Sequence, residues 1–482
     1  MQEYNIGVFK LQFNSETNVN IITLGKCQCF DDVVYSEWRN SKGITIWDNS
    51  GNGEYYITVP LYSSISVYVR NMSISDSLTT IVEGAIISER ALDSLLGYGF
   101  LCAPETLFEG VFKLPRWTYM KIRMCDANVS FCPIKILGRN RNGLSLQDEY
   151  NSLMDNLPIR VLDDYELTLA FSGGLDSAVL HAMLKFKKVP HGLYNVGVIG
   201  GRDESEYQRK CLNNNENIVK SIMTETDAEN AFERHIQRCE LFGSSIALKY
   251  EFMYKDISTR GYKSVLTGDG PDDLLLCSAT KDEFISEDGR VINAFWDCSK
   301  KKFPYFSTNS PNVLGIWYAY NYIIAPETNI YFEHLIASQN KVRLQTPYLD
   351  SCLLDFCANR SKEIYETSEK QLLKGYASKK VPIEIIEREK KGFTSDVAVW
   401  FAPGKVFYEK STMLSKTRFH TAYANMLADR ISSLLEEYSA QNYNPQSRTN
   451  GNGGINSLYT TMLILSWIQN IQKNNMYGVN IN

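Results

Sequence analysis

The chain is poor in the features that mark several functional classes. No stretch approaches the ~18 consecutive apolar residues of a membrane-spanning helix, and residues 1–23 mix Gln, Glu, Lys, Asn and Ser among their apolar positions, unlike a secretory signal. The expected location is the cytoplasm. Charge of one sign is also lacking: a net charge of -5 spread over 22% charged residues gives no basic footprint for a nucleic-acid backbone. Histidine is scarce, with five in the chain, and His181, His191, His235, His334 and His420 form no pair at helical spacing. The eleven cysteines form no metal-ligand pattern, because Cys27-Gln28-Cys29 has no second pair at suitable spacing and Cys125 and Cys132 stand too far apart. The remaining cysteines, from Cys102 to Cys357, are scattered as in a reduced protein.

What is present is enough chain for two domains, each able to bury its own core: 482 residues. Residues 1–137 read as strands, with segments 5–13, 43–47, 55–59, 64–69 and 117–124 rich in β-branched and aromatic residues, and antiparallel sheet is the natural expectation. The polar, turn-rich stretch at 138–143 marks a boundary. Beyond it short apolar strands at 167–171, 194–199 and 263–267 alternate with helical segments such as 178–186, which predicts a parallel sheet covered on both faces. Residues 313–401 are mostly helical in period, 442–454 read as a flexible loop, and 458–471 as a last apolar helix.

The first of these strands runs into Ser172-Gly173-Gly174-Leu175-Asp176-Ser177 and then a helix. Paired glycines let backbone N–H groups approach an anion closely, and the helix N-terminus adds partial positive charge. Ser172 and Ser177 can donate to phosphate oxygens, whereas Asp176 would repel them unless a cation lies between, so the pattern asks for ATP together with Mg²⁺. It lacks the lysine and glycine spacing of a Walker loop. The plainer alternative is a tight strand-to-helix turn. The loop resembles that of the ATP-pyrophosphatase (PP-loop) family, whose members cleave ATP between the α- and β-phosphates.

A second strand ends in Thr267-Gly268-Asp269-Gly270-Pro271-Asp272-Asp273, placing carboxylates at the strand edge where ligands bind in open α/β sheets. Alone it would also suit a solvated acidic turn. Together with the first loop it resembles the synthetase domain of the asparagine-synthetase family, and by that resemblance Asp176 and Asp272 hold Mg²⁺ while Ser172, Gly173, Gly174, Asp176, Ser177, Val198, Gly268 and Gly270 contact the nucleotide. The resemblance extends over residues 150–405 through Asp203-Glu204, Thr346-Pro347-Tyr348-Leu349-Asp350, residues 370–374, and Arg388-Glu389-Lys390-Lys391-Gly392-Phe393 ahead of Trp400. It assigns Lys390 to the reaction centre, though by spacing alone Lys390 is one charge in a solvated run. Gln345 departs from the arginine usual two residues before the Pro347 position; Arg343 is nearby.

The implied architecture is α/β: an N-terminal β-rich, Ntn-hydrolase-like, degenerate glutaminase domain at 1–140 and a doubly wound parallel-sheet PP-loop synthetase domain at 150–482. Glutamine-dependent members carry a nucleophilic cysteine directly after the initiator methionine; Gln2 stands there, while Glu109-Gly110-Val111-Phe112-Lys113-Leu114-Pro115 still looks like the end of that domain. The resemblance therefore points to relatives that close an amide within one molecule, the lasso-peptide macrolactam synthetases and β-lactam and carbapenam synthetases, with Asp269 the candidate base. The expected substrate is a peptide or small amino-acid-like molecule carrying both carboxylate and amine, with room for a leader-peptide protease or recognition protein as partner. Amidation with free or partner-supplied ammonia, and a non-catalytic ATP- or peptide-binding relative, are the alternatives.

Overall fold

The computed structural model describes residues 1–6, 8–24, 34, 38, 41–101, 103–134, 143–159, 167–201, 203–212, 216–275, 321, 325–368, 370–388, 394–440 and 455–474. The N-terminal strands are β1 (Gln2–Ile6), β2 (Phe9–Phe13), β3 (Val19–Thr23), β4 (Ile44–Asn49), β5 (Glu54–Thr58), β6 (Tyr68–Arg70), β7 (Ser73–Ser75), β8 (Phe112–Lys113), β9 (Thr118–Arg123) and β10 (Asn128–Pro133). They form two five-stranded sheets, ordered β1-β2-β7-β6-β8 and β10-β9-β5-β4-β3. Alternation decides which side chains face inward: in β9, Thr118, Met120 and Ile122 are buried while Tyr119, Lys121 and Arg123 are not. Met120 and Ile122 meet Leu11, Phe13 and Ile74 of the other sheet in one apolar layer, so the sheets pack face to face.

Three details differ from the sequence expectation. Segment 5–13 is two strands, with Ile6 paired to Phe9. The sheets are not wholly antiparallel, since β2 pairs with β7 and β3 with β4 in parallel; the connections there are long enough for a crossover. Only the end of segment 64–69 is a strand. The preceding polar groups serve Arg116 instead, whose guanidinium donates to Pro60 O (2.9 Å), Ser63 Oγ (3.2 Å) and Ser66 Oγ (3.1 Å).

The third sheet has the order β13-β12-β11-β14-β15, built from β11 (Leu167–Ala170), β12 (Gly192–Val198), β13 (Ile218–Met223), β14 (Ser264–Leu266) and β15 (Arg343–Gln345). All its pairings are parallel. The chain winds outward both ways from β11, which makes the gap beyond β11 and β14 the topological switch point. The expected helical run over 313–401 is thus interrupted by β15, and its first residues lie outside those described. Helices α1 (Leu175–Phe186), α2 (Ser205–Cys211), α3 (Glu225–His235), α4 (Ile246–Thr259), α5 (Asn329–Gln339), α6 (Gln371–Ala377) and α7 (Ile455–Asn474) matter below. The last of these outruns the predicted 458–471, and the loop at 442–454 lies outside the described residues. No helix among the described residues is long and apolar enough to cross a membrane.

The two halves share a core. Trp38, Trp47 and Trp117 belong to the same buried cluster as Tyr150, Leu169 and Tyr254. A charged seam joins them as well: Lys113 Nζ lies 3.2 Å from Glu240 and 3.1 Å from Glu327, and sits 3.6 Å from the centre of the Tyr331 ring. Burial alone would lower the Lys113 pKa, but the Glu240 and Glu327 carboxylates override it and raise it.

Candidate nucleotide and acyl-transfer site

The loop after β11 is shaped by its own hydrogen bonds. Gly174 N–H donates to Ser172 Oγ (3.2 Å), Ser177 Oγ donates to Gly174 O (3.1 Å), and the two serine hydroxyls lie 3.2 Å apart. Gly173 adopts φ 76°, and a Cβ there would come within 2.9 Å of the backbone of Gln208 on α2, so a side chain is excluded twice. No side chain caps the N-terminus of α1 at Gly174, so the N–H groups of that end are not taken by a capping side chain, although Asp176 lies in the first turn.

The loop after β14 closes on the first. Gly268 lies directly against Asp176 and Ser177. Gly270, at φ 116°, caps a single helical turn, Pro271–Leu274, and a Cβ on it would strike Leu349 at 2.7 Å. Tyr348 donates to the backbone carbonyl of Asp176 (2.8 Å), so the Pro347-Tyr348-Leu349 turn buttresses both loops. Asp176 and Asp272 converge on one cation. Lys370, 6% exposed, places its ammonium 2.7 and 2.6 Å from the two Asp176 oxygens and 2.8 Å from Asp272 Oδ1. These are lengths of charge-assisted hydrogen bonds.

Beside them lies a pair of carboxyl groups. Glu333, on α5 and 2% exposed, accepts from Tyr254 OH (2.6 Å) and is hydrogen-bonded to Asp269. Burial and the neighbouring Asp269 charge raise Glu333 well above the usual carboxylate range. Burial raises Asp269 too, opposed by hydrogen bonds from Thr267 and Glu333. Both carboxyl groups are thus raised by burial, and Glu333 further by Asp269, as for two adjacent acids that do not readily ionise together.

A third wall comes from α2 and the residues after 386. Arg388 forms an ion pair with Glu204, stacks at 4.0 Å over Tyr207 and reaches Gly173 O at 3.4 Å. Val198 ends β12 at the same sheet edge, 5% exposed, in an apolar cluster with Met223 and Phe232. The structure therefore brings together Ser172, Gly173, Gly174, Asp176, Ser177, Gly268, Asp269, Gly270 and Asp272. Lys390 lies outside the described residues.

Glu333 and Tyr254 went unread in the sequence, and so did the position of Lys370. Glu333 carried a signal, an acid in the otherwise apolar run Ile330-Tyr331-Phe332-Glu333-His334-Leu335. The residues fit an Mg²⁺-bound nucleotide: two carboxylates already share a cation position, and Mg²⁺ commonly takes one or two carboxylates plus substrate phosphates. Among the described residues no group of three or more His, Cys, Asp or Glu side chains is placed to hold a metal ion.

The asparagine synthase family model matches residues 151–292 and 327–460, more than half of the chain. No curated protein matches. Among solved structures, the U34-tRNA thiolase NcsA from Methanococcus maripaludis, with its 4Fe–4S cluster, aligns at 14% identity and a TM-score of 0.20 over 52% of this chain and 81% of that chain. A TM-score of 0.20 is too low to bear on fold or function.

Proposed function

The chain belongs to the asparagine synthase family, and from that premise we propose that it is an ATP-dependent carbon–nitrogen ligase that releases AMP and pyrophosphate while closing an amide inside one substrate molecule, a lasso-type precursor peptide. The observation that carries the ligase reading is the convergence of Asp176 and Asp272 on one buried cation position beside the Ser172–Ser177 loop. Bound there, Mg²⁺ and ATP supply an electrophilic α-phosphorus and a pyrophosphate leaving group. Ser172, Ser177 and the uncapped end of α1 orient the phosphates. The substrate carboxylate is thereby joined to AMP as pyrophosphate leaves; its amine then attacks the acyl carbon, AMP leaves, and the amine proton passes to Asp269, which Glu333 faces from α5. Amine and acyl group on one molecule remove much of the entropic cost of encounter.

In this reading residues 1–140 form the degenerate glutaminase-like domain, residues 150–482 the synthetase domain, and the enzyme is cytoplasmic, working with a leader-peptide protease or recognition protein. Gln2 stands where glutamine-dependent members carry the nucleophilic cysteine, which favours an amine from the substrate. Lys390 supplies a second cation for charge developing on pyrophosphate. Lys390→Ala should lower turnover far more than ATP affinity, as separate kcat and Kd measurements would show.

The deciding experiment is pyrophosphate release from Mg·ATP with candidate peptides, with and without ammonium, followed by mass analysis. A product lighter by one water, formed without ammonium, supports ring closure. Turnover that needs ammonium and yields a primary amide would replace it with amidation by ammonia.

A further inference from the structure

Lys370 has an unusual position for a residue so near a metal site. It directly precedes α6, in the left-handed backbone region at φ 51° and ψ 24°, where residues with a Cβ are uncommon. Its side chain is 6% exposed, and its ammonium touches three carboxylate oxygens from two separate loops at 2.6–2.8 Å. Such a strained, buried arrangement persists only where the surroundings demand it.

Resting on the metal-binding part of the reading above, we propose that Lys370 is a tethered placeholder cation. It fills the divalent ion's position between Asp176 and Asp272 until nucleotide arrives, and so makes metal binding conditional on nucleotide. A bare divalent ion entering this position would force the ammonium away from Asp176 and Asp272 while still beside it, bringing two like charges together. Nucleotide changes the balance. Its phosphates, held by the Ser172–Ser177 loop, give the ammonium a new anion within reach and give the metal its remaining oxygen ligands. The lysine thus exchanges a carboxylate partner for a phosphate, and the two partly exposed aspartates face a cation throughout.

Mn²⁺ retained with the full-length protein in equilibrium dialysis, where nucleotide-chelated Mn²⁺ equilibrates across the membrane, tests this directly. Wild type should take up Mn²⁺ only when α,β-methylene-ATP is present. Lys370→Met should bind Mn²⁺ without nucleotide at least about tenfold more tightly than wild type, the scale of removing one adjacent unit charge. Lys370→Arg, which keeps a cation, should behave as wild type, and adding Asp272→Asn to Lys370→Met should abolish the new binding. Tight Mn²⁺ binding by nucleotide-free wild type overturns the proposal. So does nucleotide-dependent binding in wild type with no gain in folded Lys370→Met, which leaves the metal assignment standing. Absence of Mn²⁺ uptake in every protein, nucleotide present, overturns the metal assignment and the placeholder with it.

Discussion

Two of the buried charge groups among the described residues are balanced differently. At the seam, Lys113 and Arg116 face Glu240 and Glu327, with the Tyr68 and Tyr331 hydroxyls both on Glu240. Two cations meet two acids, and each is held from more than one side. At the sheet edge one lysine meets Asp176 and Asp272, while Asp269 and Glu333 add two further carboxyl groups. Among the described residues acids outnumber the lysine there, so the cluster favours taking in more positive charge. Balanced burial holds structure together. Unbalanced burial creates a demand that a ligand satisfies.

That contrast can be broken at either end. The largest effect is expected at the sheet edge: Asp176→Asn or Asp272→Asn should cut pyrophosphate release by more than about 10³-fold, the scale of losing a preorganised charge in a dry site, with the denaturation midpoint little changed. Full activity in either variant would remove the metal assignment. Next, Asp269→Asn should lower kcat by about 10²–10⁴-fold, the usual weight of general acid–base catalysis, while nucleotide-dependent Mn²⁺ uptake persists; lost uptake would make it a structural residue. At the seam the direction reverses. Glu327→Gln should cost about 3–5 kcal/mol in urea unfolding, because Lys113 and Arg116 are left buried with less compensation. An unchanged midpoint would show that the seam is not adhesive.

The smallest effect sharpens the comparison from outside both clusters. Burial holds the His181 imidazole down at about 4, aided by the nearby His191 and Lys185 and opposed by Glu216. Its ordinary value is 6.5, so the folded protein keeps it neutral where the unfolded chain binds a proton. The stabilisation is present above pH 6.5 and declines as pH falls towards 4, by on the order of 3 kcal/mol. Urea midpoints at pH 7.5 and 4.5 should differ more in wild type than in His181→Gln, and equal differences would discount the histidine.

The sequence made the local parts of this site legible. Ser172 to Ser177 and Gly268 to Asp272 are short runs whose glycines and acids announce their turns, and the strands leading into them were read to within a few residues. What stayed hidden comes from far along the chain. Glu333 reaches Asp269 from α5, Tyr254 reaches Glu333 from α4, and Lys370 reaches Asp176 across 194 positions. Periodicity can place an acid on a helix but cannot say which carboxyl group it will face. The same limit explains segment 64–69: its β-branched residues promise a strand, yet Arg116, fifty positions from Ser66, takes the polar groups for itself.

The shared apolar cluster running from Trp38, Trp47 and Trp117 to Tyr150, Leu169 and Tyr254 has a consequence for engineering. A ligase half excised at the polar stretch would expose part of that apolar cluster to water, so it is not a portable module. Transplanting this activity onto another recognition domain means carrying the aromatic contacts of the first 140 residues along with it, whatever chemistry those residues do or do not perform.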